Sequence, residues 1–166
     1  MEGVLLSLIF KIKKKMTPLL KKMNFKDHKQ VVLLNLPDDL GDLAASFALL
    51  ANVETASEKV ENADFIIAFA LKQVEVDAAA DIIAQNTEGD TTIWIAYPKG
   101  TSKRYKCDFN RDNGWTRLGE LGFEPVRQVA IDDDWSALRF RRVGFIKTIT
   151  RSFAMTEEGK ARIKKS

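Results

Sequence analysis

The sequence has little of the chemistry on which many enzymes rely. It contains one cysteine, Cys107, and one histidine, His28, among 166 residues. A single cysteine excludes an internal disulfide bond and fits a reducing cytoplasm. A single histidine removes the commonest general base and metal ligand from a catalytic scheme, and because His28 lies in the polar connector 26–30, it is expected to be solvated.

Glycine-rich phosphate-binding motifs are also absent. After the first predicted strand, residues 31–36, the chain continues with a proline and two aspartates. Asp38 is predicted to be the N-cap of a helix over residues 40–50, where a carboxylate suits the helix dipole but repels a pyrophosphate. The stretch after Tyr97 lacks the two-glycine spacing of a P-loop. Ordinary dinucleotide binding is therefore disfavoured.

The sequence contains no apolar run long enough to span a membrane. Residues 4–10 are largely apolar, and lysines follow them, which is the reverse of the order in a secretory signal. The helical spacing of apolar residues in this segment would allow residues 1–15 to lie on a membrane surface as an amphipathic helix. A helix packed on the body, or an upstream extension without a role, is the preferred interpretation.

Negative charge is scarce at both ends and concentrated in the middle. The net charge is +3, but residues 1–30 carry +6, residues 139–166 carry +7 and residues 31–138 carry −10. Basic ends on an acidic body could attract an anionic surface or a second copy of the chain, and solubilising ends are the simpler interpretation. Specific nucleic-acid binding is not expected, because the acidic body leaves no continuous basic face.

Short apolar runs with helical patterns between them indicate an α/β fold. The run 93–97, which contains Trp94, has almost no polar alternation, as is typical of a strand buried on both faces of a parallel sheet. We predict a three-layer, doubly wound, Rossmann-like fold with a mostly parallel sheet of about five to six strands. The other predicted strands are 31–36, 52–57 and 65–70, and the clearest crossover helix is 73–85.

The sheet is predicted to end in an antiparallel hairpin. Only three aspartates separate the runs 126–131 and 135–142, which is too few residues for a parallel crossover. Adjacent aspartates point in different directions, so this cluster is interpreted as a turn rather than a metal site, and no metal is predicted. The predicted organisation is a basic helical extension over 1–30, a single α/β domain over 31–142 and a basic tail over 143–166.

The longest polar connection of the body, residues 98–110, is the best functional candidate. Lys99, Ser102 and their neighbours offer the cations and hydroxyl groups of which phosphate and carboxylate sites are built, although a solvated basic loop explains them equally well. Asp108 or Asn110 is expected to cap the helix that follows, with Arg111 in its first turn. Cys107 is interpreted as passive or buried, and no catalytic role is assigned to it.

Three stretches of the second half carry a resemblance to a known family. IWIAYPKG, DFNRDNGW and LGFEPVRQVAIDDDWSALRFR occur in the order found in a widespread bacterial family known only as a domain of unknown function. The chain resembles that family well over residues 91–142 and loosely over 31–70. The resemblance implies a bacterial, cytoplasmic α/β protein and no catalytic residues.

In a doubly wound sheet, ligands bind beyond the carboxyl ends of the strands. The residues predicted to line such a cleft are Asn35, Asp38, Lys99, Ser102, Arg111, Asp132 and Trp135.

The main hypothesis is a binding or regulatory module that holds a small anionic ligand in this cleft. The alternative is a small enzyme, a transferase or hydrolase, in which Asp38 or Asp132 acts as acid or base and Lys99 stabilises negative charge. A third hypothesis is attachment to an anionic surface through the basic ends. The sequence indicates neither a cofactor nor an oligomeric state, and a homo-oligomer stays open.

Overall fold

The chain folds into a six-stranded mixed sheet with a hydrophobic core on each face. A computed structural model describes residues 3, 16–56, 58, 60–110, 112–149 and 153–165. The strands are β1 (Gln30–Leu34), β2 (Asn52–Ala56), β3 (Phe65–Phe69), β4 (Thr92–Pro98), β5 (Phe123–Ala130) and β6 (Trp135–Arg142). The helices are α1 (Pro18–Lys22), α2 (Gly41–Ala48), α3 (Gln73–Asn86), α4 (Thr116–Glu120) and α5 (Glu157–Lys165), with 3-10 turns at Asp38–Leu40 and Val143–Phe145.

The order of strands in the sheet is β2-β1-β3-β4-β6-β5. The first four strands of this order are parallel, whereas β6 is antiparallel to both β4 and β5. The predicted fold class and the predicted hairpin are confirmed. The turn between β5 and β6 is closed by Asp132, whose Oδ1 accepts hydrogen bonds from the backbone N–H groups of Asp134 (2.8 Å) and Trp135 (2.7 Å).

The central strands are buried on both faces, as their apolar runs indicate. Every residue of β3 and β4 is buried. Successive side chains of β3 enter opposite cores, so that Ile66 packs on the face covered by α3 while Ile67 packs on the face covered by α1 and α2. Each fully buried side chain of this size contributes about 1.5–3 kcal/mol to the hydrophobic free energy of folding.

Two predicted helix caps are wrong. Asp38 does not cap α2, because the 3-10 turn Asp38–Leu40 intervenes. The N-cap position of this turn is Pro37, and no side chain makes a capping hydrogen bond there. The short helix α4 begins after Trp115, not after Asp108 or Asn110. The Asp108 carboxylate instead accepts a hydrogen bond at 2.6 Å from the backbone N–H of Gln73, at the start of α3.

His28 is part of the packed structure rather than solvated, so that expectation is wrong. Its ring stacks on Phe25 at 5.4 Å and meets Phe65 edge-on at 5.1 Å. Its Nδ1 accepts a hydrogen bond from the backbone N–H of Lys26, and its Nε2 lies 3.1 Å from the Thr92 hydroxyl. Burial lowers the pKa of His28. Because Phe65 and Thr92 begin their strands, His28 lies at the amino ends of the parallel strands.

The C-terminal segment docks on the body, as its apolar residues predict. The Glu124 side chain is fully buried in β5 and accepts hydrogen bonds from the backbone N–H groups of Met155 and Thr156 and from the Thr156 hydroxyl, at 2.7–3.0 Å. The same hydroxyl accepts a hydrogen bond from Gly159 N–H in the first turn of α5. These contacts fix the start of α5 against the sheet.

Residues 1–15, apart from Gly3, lie outside the described residues, and so does the predicted membrane-surface helix. Among the helices that the structure does describe, none has the length and apolar character needed to cross a membrane.

Candidate functional site

The chain changes winding direction at β1. This strand has β2 on one side and β3 on the other, so the crossovers before and after β2 place strands on opposite sides of β1. In open α/β sheets such a switch point leaves a crevice at the carboxyl ends of the strands. A cavity of about 350 Å³ lies there, lined by Asn35 after β1, Ala70 after β3 and Trp135 at the start of β6. We call it the switch-point cavity.

The Asn35 backbone shapes the entry to this cavity. Asn35 has a φ of 57°, in the left-handed region that asparagine tolerates better than most residues. Its N–H donates a hydrogen bond to the Ala56 carbonyl at the end of β2, at 2.9 Å. The turn that follows carries Asp38 and Asp39 into the cavity wall.

Aromatic rings form one wall of the cavity. The ring of Trp135 meets Phe69 edge-on at 5.4 Å and Tyr105 at 5.1 Å, and all three residues line the cavity. Trp135 is only 1% exposed, and its indole Nε1–H has no hydrogen-bond partner among the described residues. A buried donor without a partner costs about 1–3 kcal/mol.

Tyr105 connects the loop 98–110 to the connection after β1. Its hydroxyl donates a hydrogen bond to Asp39 Oδ1 at 2.6 Å, and Arg104 lies 3.2 Å from the other oxygen of the same carboxylate. The hydrogen bond raises the pKa of Tyr105 and, from the other side, lowers the pKa of Asp39. This contact holds the loop 98–110 against the turn that follows β1.

The two remaining carboxylates of the cavity wall, Glu75 and Asp38, differ in their hydrogen bonding. Glu75 Oε1 accepts hydrogen bonds from the backbone N–H groups of Leu71 and Lys72, which is a capping contact for α3. Asp38 is exposed, and its carboxylate has no hydrogen-bond or ion-pair partner among the residues that the structure describes. Asp38 is therefore the carboxylate of this cavity that is available to a cationic ligand.

Three predicted site residues, Asn35, Asp38 and Trp135, come together in the switch-point cavity. Lys99 and Ser102 line a different cavity. The Asp132 carboxylate is engaged in the hairpin turn described above. Arg111 lies outside the described residues.

The structure also adds cavity residues that the sequence analysis missed, chiefly Phe69, Glu75 and Tyr105. Tyr105 could have been noticed as an aromatic residue within a polar, cationic stretch. Phe69 and Glu75 carry no signal of their own, because a buried strand residue and a helix-capping glutamate are common in any α/β fold.

Two further observations bear on the choice of site. Another cavity, of about 910 Å³, lies between β5 and residues 145–149, 153 and 155, and its rim exposes Val126, Phe145 and Phe153. It is not at the carboxyl ends of the parallel strands, so we place the candidate site at the switch point. Within the described residues, no group of three or more histidine, cysteine or carboxylate side chains could hold a metal ion.

Comparison with known proteins identifies the fold. No family model and no curated protein matches the sequence. A putative methyltransferase from Pseudomonas syringae has a TM-score of 0.52 at 10% identity, covering 80% of this chain and 99% of the other. Human N-acetylserotonin methyltransferase in complex with SAM has a TM-score of 0.51 at 8% identity, covering 75% of this chain and 50% of the human one. The pyocyanin biosynthetic protein PhzM has a TM-score of 0.52 at 12% identity, covering 75% of this chain and 53% of PhzM.

These similarities establish a Rossmann-like α/β fold. The chain spans about half the length of PhzM and of the human enzyme, and nearly all of the Pseudomonas protein. The main hypothesis of a binding or regulatory module is contradicted by this finding, because the proteins that share the architecture include methyltransferases.

Proposed function

We propose that this protein is a small transferase that holds a S-adenosylmethionine donor in the switch-point cavity. The observation that carries the proposal is Trp135, whose buried indole N–H has no partner among the described residues, in the wall of a cavity at the switch point of a fold shared with methyltransferases. A fold similarity alone does not specify a ligand. The side chains of the cavity supply the chemical part of the argument.

The charge of the cavity suits this donor. S-adenosylmethionine carries a positive charge on sulfur and contains no phosphate. The carboxylates that disfavour a pyrophosphate therefore do not disfavour it, and Asp38 would attract the sulfonium. The partly exposed ring of Tyr105 offers a π face to the same cation. The cavity volume of about 350 Å³ lies within the range of about 300–1,000 Å³ usual for small-molecule sites.

Each residue of the site has a distinct task in this proposal. When bound, the donor supplies a methyl group on a cationic sulfur. Trp135 donates a hydrogen bond to an acceptor atom of the ligand, and Asp38 holds the positive charge at the mouth. Tyr105, tied to Asp39, covers the cavity and limits the access of water. Residues 35–40 contain no glycine, so recognition falls to side chains rather than to a row of backbone amides.

Calorimetric titration with S-adenosylmethionine and S-adenosylhomocysteine tests the proposal, with ATP and NAD as phosphate-bearing controls. We expect both sulfur compounds to bind and both phosphate compounds to fail. Trp135→Phe should weaken binding by roughly three- to tenfold, the value of one neutral hydrogen bond.

Trp115→Phe is the matched control, because Trp115 is also buried but does not line this cavity. It should leave the affinity unchanged. Absence of binding by the wild-type protein, or equal affinity in Trp135→Phe, would refute the proposal.

A further inference from the structure

A second cavity adjoins the switch-point cavity. It has a volume of about 610 Å³ and lies among the end of β4, the loop 98–110 and the start of β6. Tyr105 lines both cavities, so the two spaces adjoin at this residue. We call this second space the lysine cavity, after Lys99 and Lys106 in its wall. Two compartments that share one side chain would place two ligands next to each other.

The two compartments have opposite charge. The lysine cavity is lined by Lys99 and Lys106 and by no acidic side chain among the described residues. Neither lysine forms an ion pair with any residue that the structure describes. Two carboxylates lie close by: Asp108 accepts a hydrogen bond from the start of α3, and Asp134 accepts one at 2.7 Å from Ser102, which itself lines the cavity. Neither carboxylate forms an ion pair with Lys99 or Lys106 among the described residues, so both ammonium groups can bind an anion.

The floor of the lysine cavity is aromatic. Tyr97 and Phe109 line it, and both are more than nine-tenths buried. Their ring centroids lie 6.1 Å apart. The Tyr97 hydroxyl accepts a hydrogen bond from Gln128 at 3.0 Å, which holds the ring in place. Tyr105 is partly exposed and offers an aromatic surface to a planar ligand above this buried floor.

We propose that the lysine cavity is the acceptor subsite of the enzyme and that it takes a small aromatic acid. The ring would pack on Tyr97, Tyr105 and Phe109, and the acidic group would bind Lys99 and Lys106. This inference rests on the proposed function, because the acceptor role requires a donor in the adjoining switch-point cavity. The bond between the methyl carbon and the sulfonium would break as the methyl carbon bonds to an oxygen of the acid, leaving S-adenosylhomocysteine. Where that oxygen belongs to a hydroxyl group, its proton would pass to solvent. The charge contrast between the compartments would keep the cationic donor and the anionic acceptor in separate places.

The test uses 4-hydroxybenzoate as probe and 4-hydroxybenzamide as its neutral counterpart. Titrations are run on the full chain with S-adenosylhomocysteine present. Cys107, the only cysteine of the chain, lines the lysine cavity, so its rate of alkylation by iodoacetamide reports occupancy. We expect 4-hydroxybenzoate to bind and to slow alkylation several-fold, whereas the amide should do neither at the same concentration.

Lys99→Gln and Lys106→Gln should each weaken 4-hydroxybenzoate binding about tenfold, because a hydrogen bond to a charged group is lost. Both variants should keep the wild-type affinity for S-adenosylhomocysteine. Lys103→Gln is the matched control, because Lys103 is an exposed lysine of the same loop that does not line the cavity. It should leave both affinities unchanged.

The outcomes separate the two proposals. If the sulfur compounds bind but 4-hydroxybenzoate fails to bind, or binds equally to the two cavity-lysine variants, the inference is overturned and the proposed function stands. If 4-hydroxybenzoate protects Cys107 but S-adenosylmethionine does not bind, the proposed function is overturned, and the acceptor role is overturned with it.

Discussion

Trp135 has two roles at the scale of the single residue. It begins β6, where its backbone N–H closes the hairpin turn on Asp132, and its ring forms a wall of the switch-point cavity. Its indole N–H is one of two buried side-chain donors without a partner among the described residues. A tryptophan serving only the core would be expected to satisfy this donor, as Trp94 does with the Met23 carbonyl at 3.0 Å.

Asp38 should distinguish the cationic sulfur of S-adenosylmethionine from the neutral sulfur of S-adenosylhomocysteine. Asp38→Asn is expected to weaken S-adenosylmethionine binding about fivefold, since exposed charge pairs contribute up to about 1 kcal/mol. The variant should not weaken S-adenosylhomocysteine binding, because that molecule has a neutral sulfur. Calorimetric titration at low and high salt checks this, and the loss should shrink at high salt. An unchanged ratio of the two affinities would place the sulfonium away from Asp38.

His28 should make folding stability depend on pH. Burial lowers the pKa of His28 below the ordinary value of 6.5 and outweighs the nearby Asp64 carboxylate, which raises it. The folded state therefore favours the neutral ring. Protonation therefore destabilises the fold, and the loss grows as the pH falls below 6.5 towards the folded pKa. Urea unfolding of the wild type and of His28→Gln between pH 8 and 5 should show a shallower decline in the variant. Parallel curves would contradict this.

At the scale of the element, the buried Glu124 carboxylate explains how a short, basic helix stays attached to the sheet. Glu124→Gln should lower the free energy of unfolding by about 1–3 kcal/mol, because the amide cannot accept all the hydrogen bonds that the carboxylate accepts from Met155 and Thr156. Urea denaturation measures the change. Glu157→Gln is the control, since this side chain is 95% exposed, and it should change stability by less than about 0.5 kcal/mol.

The same contact accounts for Gly159 within α5. The sequence suggests that a glycine there weakens the helix. A Cβ at this position would lie 2.6 Å from Glu124 Oε2 and 2.8 Å from the Thr156 hydroxyl. The glycine therefore permits the close approach of α5 to β5, and the helix gains a buried anchor in exchange for a lower intrinsic propensity.

At the scale of the whole molecule, the strands should differ in their local stability. The strands β1, β3 and β4 are paired on both sides and almost fully buried, whereas β2 is an edge strand with three of its five residues exposed. Native-state hydrogen exchange should therefore be slowest in β3 and β4 and clearly faster in β2. Protection of β2 equal to that of β3 would indicate that another surface covers this edge.

The sequence by itself determined the class of fold and most of the strands. Short apolar runs without alternation are typical of strands covered on both faces, and the three-residue gap before Trp135 is too short for a parallel crossover. The positions of Asn35, Asp38 and Trp135 at one mouth followed from the same reasoning, because strand ends meet at one edge of a sheet. This reasoning about the sequence did not decide whether the protein is a binding module, an enzyme or a protein attached to an anionic surface.

Only the tertiary structure decided which side chains share a cavity. Tyr105 donates a hydrogen bond to Asp39, which is 66 residues away in sequence. Lys99 lines the lysine cavity, whereas Asp38 lines the switch-point cavity. His28 and Asp108 were misplaced for the same reason, because their partners lie far away in sequence. Local patterns report the burial and direction of a strand. Which loops meet depends on strand order and loop path, and these are set by long-range packing.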